Sequence, residues 1–148
     1  METMNQDIYA CIRLENQLCF PLYACAKEIV RKYREPLDKL HLTYTQYIVM
    51  MVLWEHGSLR EKEIGRYVHL DSGTLTPLLK RLEKQGFIER NRQEADERNL
   101  LISLTKQGEN LKDQAIKVPY EMGGCIDLPV EELLQLKYLL DKALVNIR

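Results

Sequence analysis

Residues 71–86 read Asp71-Ser72-Gly73-Thr74-Leu75-Thr76-Pro77-Leu78-Leu79-Lys80-Arg81-Leu82-Glu83-Lys84-Gln85-Gly86. Asp71 is a good N-cap, because its carboxylate can accept hydrogen bonds from the free N–H groups of a first helical turn. Gly86 stands where helices often end in a left-handed residue. Between them, leucines follow the i, i+3, i+4, i+7 spacing of one apolar face: Leu75, Leu78, Leu79 and Leu82. The stretch therefore predicts one amphipathic helix with both of its ends marked.

The opposite face of this helix is polar and basic. Hydroxyls near a helix start can reach base edges in a major groove, and lysine or arginine further along can bind phosphates or guanine. The candidate DNA-contacting residues of this face are Ser72, Thr74, Thr76, Lys80, Arg81 and Lys84. The other interpretation is an ordinary surface helix whose polar face is solvated.

The flanking stretches complete a winged helix-turn-helix. Upstream, Thr43-Tyr44-Thr45-Gln46 is a capping box that starts a helix over residues 44–56, and Gly57 ends it. Ser58-Leu59-Arg60-Glu61 can then cap a short third helix that reaches Tyr67 or Val68, and His69-Leu70 forms a tight turn into the helix of residues 71–86. Downstream, residues 87–92 and 100–104 alternate as two strands of a hairpin. This order of elements is typical of a winged helix.

The hairpin adds three further candidates for DNA contact, namely Arg92, Asp96 and Arg98. Arginines at this position can lie along a phosphate strand or enter a minor groove. Hairpin tips are also charged simply because they are exposed to solvent. The order of the elements therefore favours DNA contact by the hairpin more than the charges do.

The remaining helices carry more apolar surface than a small winged helix needs. They are predicted over residues 16–35, with Asn16 as N-cap and Pro36 ending the helix, over residues 105–118 before Pro119, and over residues 130–147. A homodimer built from both termini would bury this surface. It would also present two recognition helices to a palindromic operator in double-stranded DNA.

Composition narrows the class of protein. A chain of 148 residues builds one core, and its net charge of −1 means that any basic surface must come from arrangement in space. The sequence predicts no signal peptide and no membrane span, hence a cytoplasmic protein with no membrane partner. The four cysteines include no C-x-x-C pair and there are only three histidines, so neither a metal site nor a cofactor is predicted.

Cys19 is the cysteine whose position in the sequence suggests a reactive thiol. It lies in or just before the first turn of the helix predicted over residues 16–35, where the positive end of the helix dipole favours a thiolate. The alternative is that Cys19 is a small buried hydrophobic residue, the usual fate of a lone cysteine.

Together these motifs resemble the MarR family and, within it, the organic-hydroperoxide-sensing branch of OhrR repressors. The resemblance covers residues 14 to about 108 and is carried by Leu14-Glu15-Asn16-Gln17-Leu18-Cys19-Phe20, Leu42-Thr43-Tyr44 with Gln46-Tyr47, Leu53-Trp54-Glu55-His56, residues 70–83 and Asp96-Glu97-Arg98. Pro21 departs from that pattern, because the branch usually has an ordinary helix former there. The resemblance implies a homodimeric, mainly α winged-helix repressor with a small β-hairpin.

The resemblance also implies a chemistry. Cys19 matches the peroxide-reactive thiolate of that branch, Tyr33 and Tyr44 match tyrosines that hydrogen-bond it, and Tyr23 lies one turn along the same helix. Oxidation gives a sulfenic acid that condenses with a thiol. That thiol is a small molecule in one subtype and a second cysteine of the partner subunit in the other. Cys125 lies in about the region of that second cysteine, and both routes stay open.

The function expected is therefore a thiol-switched transcriptional repressor with organic hydroperoxide as its reactive effector. One alternative is a MarR-type regulator controlled by a small aromatic acid or by general thiol stress. A thiol peroxidase is disfavoured, because no second motif for turnover is present. We expect a single MarR-type domain over residues 1–148, with dimerisation helices at 14–36 and 105–148 and a DNA-binding lobe at 43–104.

Overall fold

The computed structural model describes residues 8–92 and 100–147, apart from the side chain of Arg92. Two short 3₁₀ turns, Ala10–Ile12 and Leu14–Asn16, precede the first helix. The regular elements that follow are α1 (Cys19–Asp38), α2 (Tyr44–His56), β1 (Leu59–Arg60), α3 (Glu61–Val68), α4 (Ser72–Lys84), β2 (Ile88–Arg92), β3 (Leu100–Leu104), α5 (Lys106–Ala115), α6 (Lys117–Glu121) and α7 (Val130–Asn146). The predicted fold class, mainly α with a small sheet in a winged helix-turn-helix, is confirmed.

The predicted recognition helix forms as α4. The carboxylate of Asp71 accepts a 2.8 Å hydrogen bond from the N–H group of Thr74, which caps the first turn. Gly86 follows the helix with a φ angle of +83°, a left-handed conformation that glycine adopts without strain. All four leucines of the predicted apolar face are buried. Helix α4 therefore packs its leucine face against the core and leaves its polar face exposed to solvent.

The sheet has one strand more than predicted. Strand β3 lies in the centre, with β1 and β2 paired antiparallel on either side. Leu59 of β1 faces Ile102 of β3, and a strand of two residues has no periodicity that a sequence pattern could detect. Ser58 is consequently not part of a helix cap; Arg60 precedes α3, and its N–H group donates a 2.8 Å hydrogen bond to Glu63.

Two predicted helix boundaries near prolines are wrong. Helix α1 begins at Cys19 and continues through Pro36 to Asp38, and the side chain of Asn16 donates to the carbonyl of Ala10 instead of capping a helix. Pro36 and Leu37 are buried, so core packing holds the last turn although proline denies it one hydrogen bond. Pro119 lies inside the short helix α6, in a first turn where no N–H partner is needed.

The core belongs to the lobe formed by α2 to β3, together with the C-terminal end of α1 and with α5 and α6. Its fully buried side chains are Leu37, Val49, Met50, Leu53, Ile64, Leu75, Leu79, Leu82, Ile88, Ile102 and Val118. By contrast, the N-terminal half of α1 and all of α7 have no fully buried residue in one chain. Within residues 8–92 and 100–147, no helix has the length and apolar character to cross a membrane.

Candidate functional site

Cys19 is the first residue of α1, and its side chain is exposed. At this position the free N–H groups of the first turn and the positive end of the helix dipole favour an anion. The apolar residues next to Cys19 in the sequence are also exposed in one chain. Leu18 is 76% exposed, and Phe20 and Leu22 are each more than 40% exposed. The alternative of a buried structural cysteine is therefore wrong for one chain on its own.

The tyrosines form a cluster at the other end of α1. The ring centroids of Tyr33 and Tyr44 lie 4.9 Å apart, and those of Tyr33 and Tyr47 lie 6.1 Å apart. Burial raises the pKa of Tyr33, and the neighbouring Tyr44 and Cys125 raise it further. Burial likewise raises the pKa of Tyr47. A phenol whose pKa lies above about 10 stays protonated at neutral pH, so Tyr33 can act as an O–H donor.

Cys125 reaches this cluster from the segment that follows α6. It is partly buried against the core, beside Lys32, Glu35 and Pro36 of α1. Its N–H group donates a 3.0 Å hydrogen bond to the carbonyl of Met122. Gly124 has a φ angle of +79°, which lets the chain turn back onto α1 at this point. The structure thus brings together Tyr33, Tyr44 and Cys125, three of the five predicted redox-site residues.

Cys19 does not join them within one chain. Tyr33 lies fourteen positions after Cys19 on the continuous helix α1. At 1.5 Å per residue, the two residues lie roughly 21 Å apart along the axis of α1. Tyr23 is one turn from Cys19 on the same helix and is exposed, but the hydrogen bonds that the resemblance implies from Tyr33 and Tyr44 cannot form within one subunit.

The predicted DNA-contacting residues of α4 lie on its outer surface. Ser72, Thr74, Lys80, Arg81 and Lys84 are exposed. Thr76 is partly buried, and its hydroxyl donates to the carboxylate of Glu61 at the start of α3. Asp96, Arg98 and the side chain of Arg92 lie outside the described part of the chain.

The sequence did not point to two charged residues at this surface. Arg90 of β2 donates through Nε to Glu83 of α4 at 2.8 Å, so an ion pair fastens the base of the hairpin to the recognition helix. Glu61 holds Thr76 across the helix-turn-helix. Neither partner pair could be found from periodicity, because both contacts join different secondary-structure elements.

Comparisons with known proteins agree with this geometry. The family model described as transcriptional regulator SarA/Rot matches residues 27–115. The chain is 51% identical over 126 residues to the organic hydroperoxide resistance transcriptional regulator of Bacillus subtilis (strain 168), covering 85% of this chain and 86% of that one.

Two solved structures of AbfR are also similar, each with 37% sequence identity. Reduced AbfR bound to DNA matches with a TM-score of 0.75 over 90% of this chain and 92% of that one. The structure of disulfide-formed AbfR matches with a TM-score of 0.60, over 88% and 87%. The chain therefore belongs to the MarR family of winged-helix transcriptional regulators, in its organic-hydroperoxide-sensing, OhrR-like branch.

Proposed function

We propose that this protein is a homodimeric, cytoplasmic repressor that binds double-stranded DNA and releases it when an organic hydroperoxide oxidises Cys19. The observation that carries the proposal is the separation of the thiol from its partners. Cys19 is exposed at one end of α1, whereas Tyr33, Tyr44 and Cys125 lie together at the other end. A second subunit can complete the site, because its tyrosine cluster can meet the Cys19 end of this chain.

Exposed apolar surface supports the dimer. Residues along α7 remain uncovered in one chain, among them Leu134, Tyr138, Leu139, Leu140 and Val145. The apolar residues around Cys19 are exposed as well. Several large exposed apolar side chains on one helix mark an interaction site. We assign the dimerisation helices to residues 14–36 and 105–148, as the sequence predicts.

In the composite site the phenol of Tyr33 donates to the Cys19 thiolate of the partner subunit, which favours the ionised sulfur. The thiolate attacks the terminal oxygen of the hydroperoxide; an S–O bond forms and the O–O bond breaks. The alkoxide leaves, takes a proton from solvent and becomes the alcohol. Sulfur is oxidised by two electrons and becomes a sulfenic acid. Aromatic walls from Tyr23 and Tyr44 suit an alkyl hydroperoxide better than hydrogen peroxide.

We assign Cys125 as the thiol that resolves the sulfenic acid. Its thiolate attacks the sulfur of Cys19, an S–S bond forms and the S–O bond breaks. Hydroxide leaves and takes up a proton to become water. A disulfide needs Cα atoms within about 7 Å of each other. Because Cys19 opens α1 and Cys125 packs against the other end of that helix, the bond must join two subunits.

DNA recognition is assigned to the outer face of α4. Its exposed hydroxyls, Ser72 and Thr74, lie in the first turn, and Lys80, Arg81 and Lys84 follow at the C-terminal half. We assign Arg92, Asp96 and Arg98 to the same interface from the sequence. Two such faces in a symmetric dimer fit a palindromic operator.

The decisive experiment treats the purified protein with cumene hydroperoxide and follows DNA release, disulfides by mass spectrometry, and subunits on non-reducing gels. Cys19→Ser should bind DNA and ignore the peroxide. Cys125→Ser should react at Cys19 but give no covalent dimer, while the matched control Cys25→Ser should behave like wild type. If Cys19→Ser still releases DNA at the wild-type dose, the sensing thiol lies elsewhere.

A cleft between α1 and α2 favours a second candidate, control by a small aromatic acid. It has a volume of about 410 Å³ and is lined by Lys27, Arg31, Arg34 and the ring of Tyr44, among others. Cationic side chains beside an aromatic ring can hold a carboxylate and a ring together. DNA release by salicylate in the Cys19→Ser variant would support this alternative. It would be excluded if the wild-type protein releases DNA with peroxide but not with salicylate.

A further inference from the structure

Glu61 and Thr76 form a contact that the proposed function does not use. Glu61 is the first residue of α3, and Thr76 lies in the second turn of α4 on the margin of the face assigned to DNA. The Thr76 hydroxyl donates to the Glu61 carboxylate, and both residues are partly buried. We propose that Glu61 is a positioning residue that makes Thr76 a hydrogen-bond acceptor toward the major groove and so selects bases that carry an amino group.

The direction of this hydrogen bond follows from the chemistry of the partners. An ionised carboxylate has no proton to give, so the Thr76 hydroxyl must be the donor. Hydrogen bonds to an ionised acceptor are roughly twice as strong as neutral ones, which holds both the side-chain rotamer and the proton. The oxygen of Thr76 then has only lone pairs left for the DNA.

An acceptor in the major groove distinguishes bases. Adenine and cytosine present amino donors there, whereas guanine and thymine present carbonyl oxygens. The Thr76 oxygen therefore favours adenine or cytosine at the position that it faces. Without Glu61, the hydroxyl can turn to the carbonyl of Ser72, as threonines in helices often do, or donate to the DNA. Either change removes this preference.

The charge of Glu61 points to selectivity as well. Within the described residues, Glu61 takes part in no ion pair. An unneutralised carboxylate beside a DNA-binding face opposes phosphates of every sequence, so it weakens non-specific binding. A residue that lowers affinity for all DNA while orienting one base contact contributes to discrimination between sequences and not to total affinity.

The inference rests on the proposed DNA-binding function, and one experiment tests both. Reduced full-length protein is used to select from duplexes with a randomised centre, and the selected sequences are compared for wild type, Glu61→Ala, Thr76→Val and Thr76→Ser. Glu61→Ala removes the acceptor, which a glutamine oxygen would keep. Glu109→Ala is the control of equal charge change, because Glu109 lies on α5 and pairs with Lys106 at 3.5 Å.

We expect Glu61→Ala and Thr76→Val to lose preference for adenine or cytosine at the same position of each half-site, by roughly three- to tenfold. The double variant should lose no more than either single variant, and Thr76→Ser should keep the preference. Glu61→Ala should also bind random duplex DNA more tightly, whereas a purely structural role would weaken all binding.

Two results would overturn the inference. If Glu61→Ala selects the same bases as wild type, Glu61 does not orient the contact. If the two single variants alter different positions, Thr76 and Glu61 act separately. Failure of the wild-type protein to enrich any sequence would instead refute the proposed function itself, and the inference with it.

Discussion

The side-chain amide of Gln46 donates a 3.1 Å hydrogen bond to the side-chain oxygen of Gln85, which joins the first turn of α2 to the end of α4. Gln85 in turn donates to the carbonyl of His41 at 2.7 Å. Gln46 is buried and lies two residues from Tyr44. The relay therefore connects the first turn of α2, which carries Tyr44, to the end of the recognition helix through two hydrogen bonds.

Replacing Gln85 with alanine tests this relay. The variant leaves the buried amide of Gln46 without its acceptor, so the free energy of unfolding should fall by about 1–3 kcal/mol. Since the connection to Tyr44 is also lost, a higher dose of peroxide should be needed to release DNA. Urea unfolding and peroxide titration measure the two effects, with Gln114→Ala, an exposed glutamine of α5, as control.

The salt dependence of DNA binding tests the outer face of α4. Lys80→Ala should weaken operator binding and reduce the slope of log K against log salt by about 0.9, because one phosphate contact is lost. We expect the same from Arg98→Ala on the sequence argument alone. Lys106→Ala removes an exposed lysine from α5 and should leave the slope unchanged. A wild-type slope in Lys80→Ala would rule out this docking face.

The dimer is tested by a charge on α7. Leu140 is 41% exposed in one chain and lies on the apolar surface assigned to the interface. Leu140→Glu should therefore shift the protein toward monomer in analytical ultracentrifugation and abolish operator binding. Lys142→Glu, two residues away, changes the charge of an exposed polar side chain and is the comparison. A stable dimer of Leu140→Glu would place the interface elsewhere.

Gly108 offers a test of the lobe's packing. A Cβ atom on Gly108 would lie 1.9 Å from the carbonyl oxygen of Phe87, so Gly108→Ala must displace backbone. The expected loss of unfolding free energy is about 3 kcal/mol or more. Trp54 donates to the Gly108 carbonyl at 2.9 Å and is the only tryptophan, so its fluorescence reports the change. Asn110→Ala on the same helix should have little effect.

Alkaline pH should destabilise the protein through its tyrosine cluster. Burial raises the folded-state pKa of Tyr33 and Tyr47 above the ordinary value of about 10. Above that value the unfolded chain loses these protons first, so the free energy of unfolding should fall as the pH rises toward the folded pKa. Urea unfolding at several pH values measures this slope. Tyr33→Phe should flatten it, and Tyr120→Phe, on the surface of α6, should not.

The parts of the fold whose signals are local could be predicted from the amino-acid sequence. The Asp71 cap, the leucine face of α4 and the capping box of Thr43 and Gln46 were all predicted and all form. Each depends on residues within one or two turns, where hydrogen-bond chemistry and helical spacing act without help from the rest of the chain. The position of Cys19 at a helix start was also predicted, although the predicted cap, Asn16, does not cap that helix.

The contacts between different secondary-structure elements depend on the fold of the whole chain. Core packing carries α1 through Pro36, against the local rule that a helix ends before proline. The Glu61–Thr76 and Glu83–Arg90 contacts join separate elements, and no spacing in the sequence encodes them. The length of α1 likewise keeps Cys19 away from its own Tyr33, so the redox chemistry that we propose needs a second subunit.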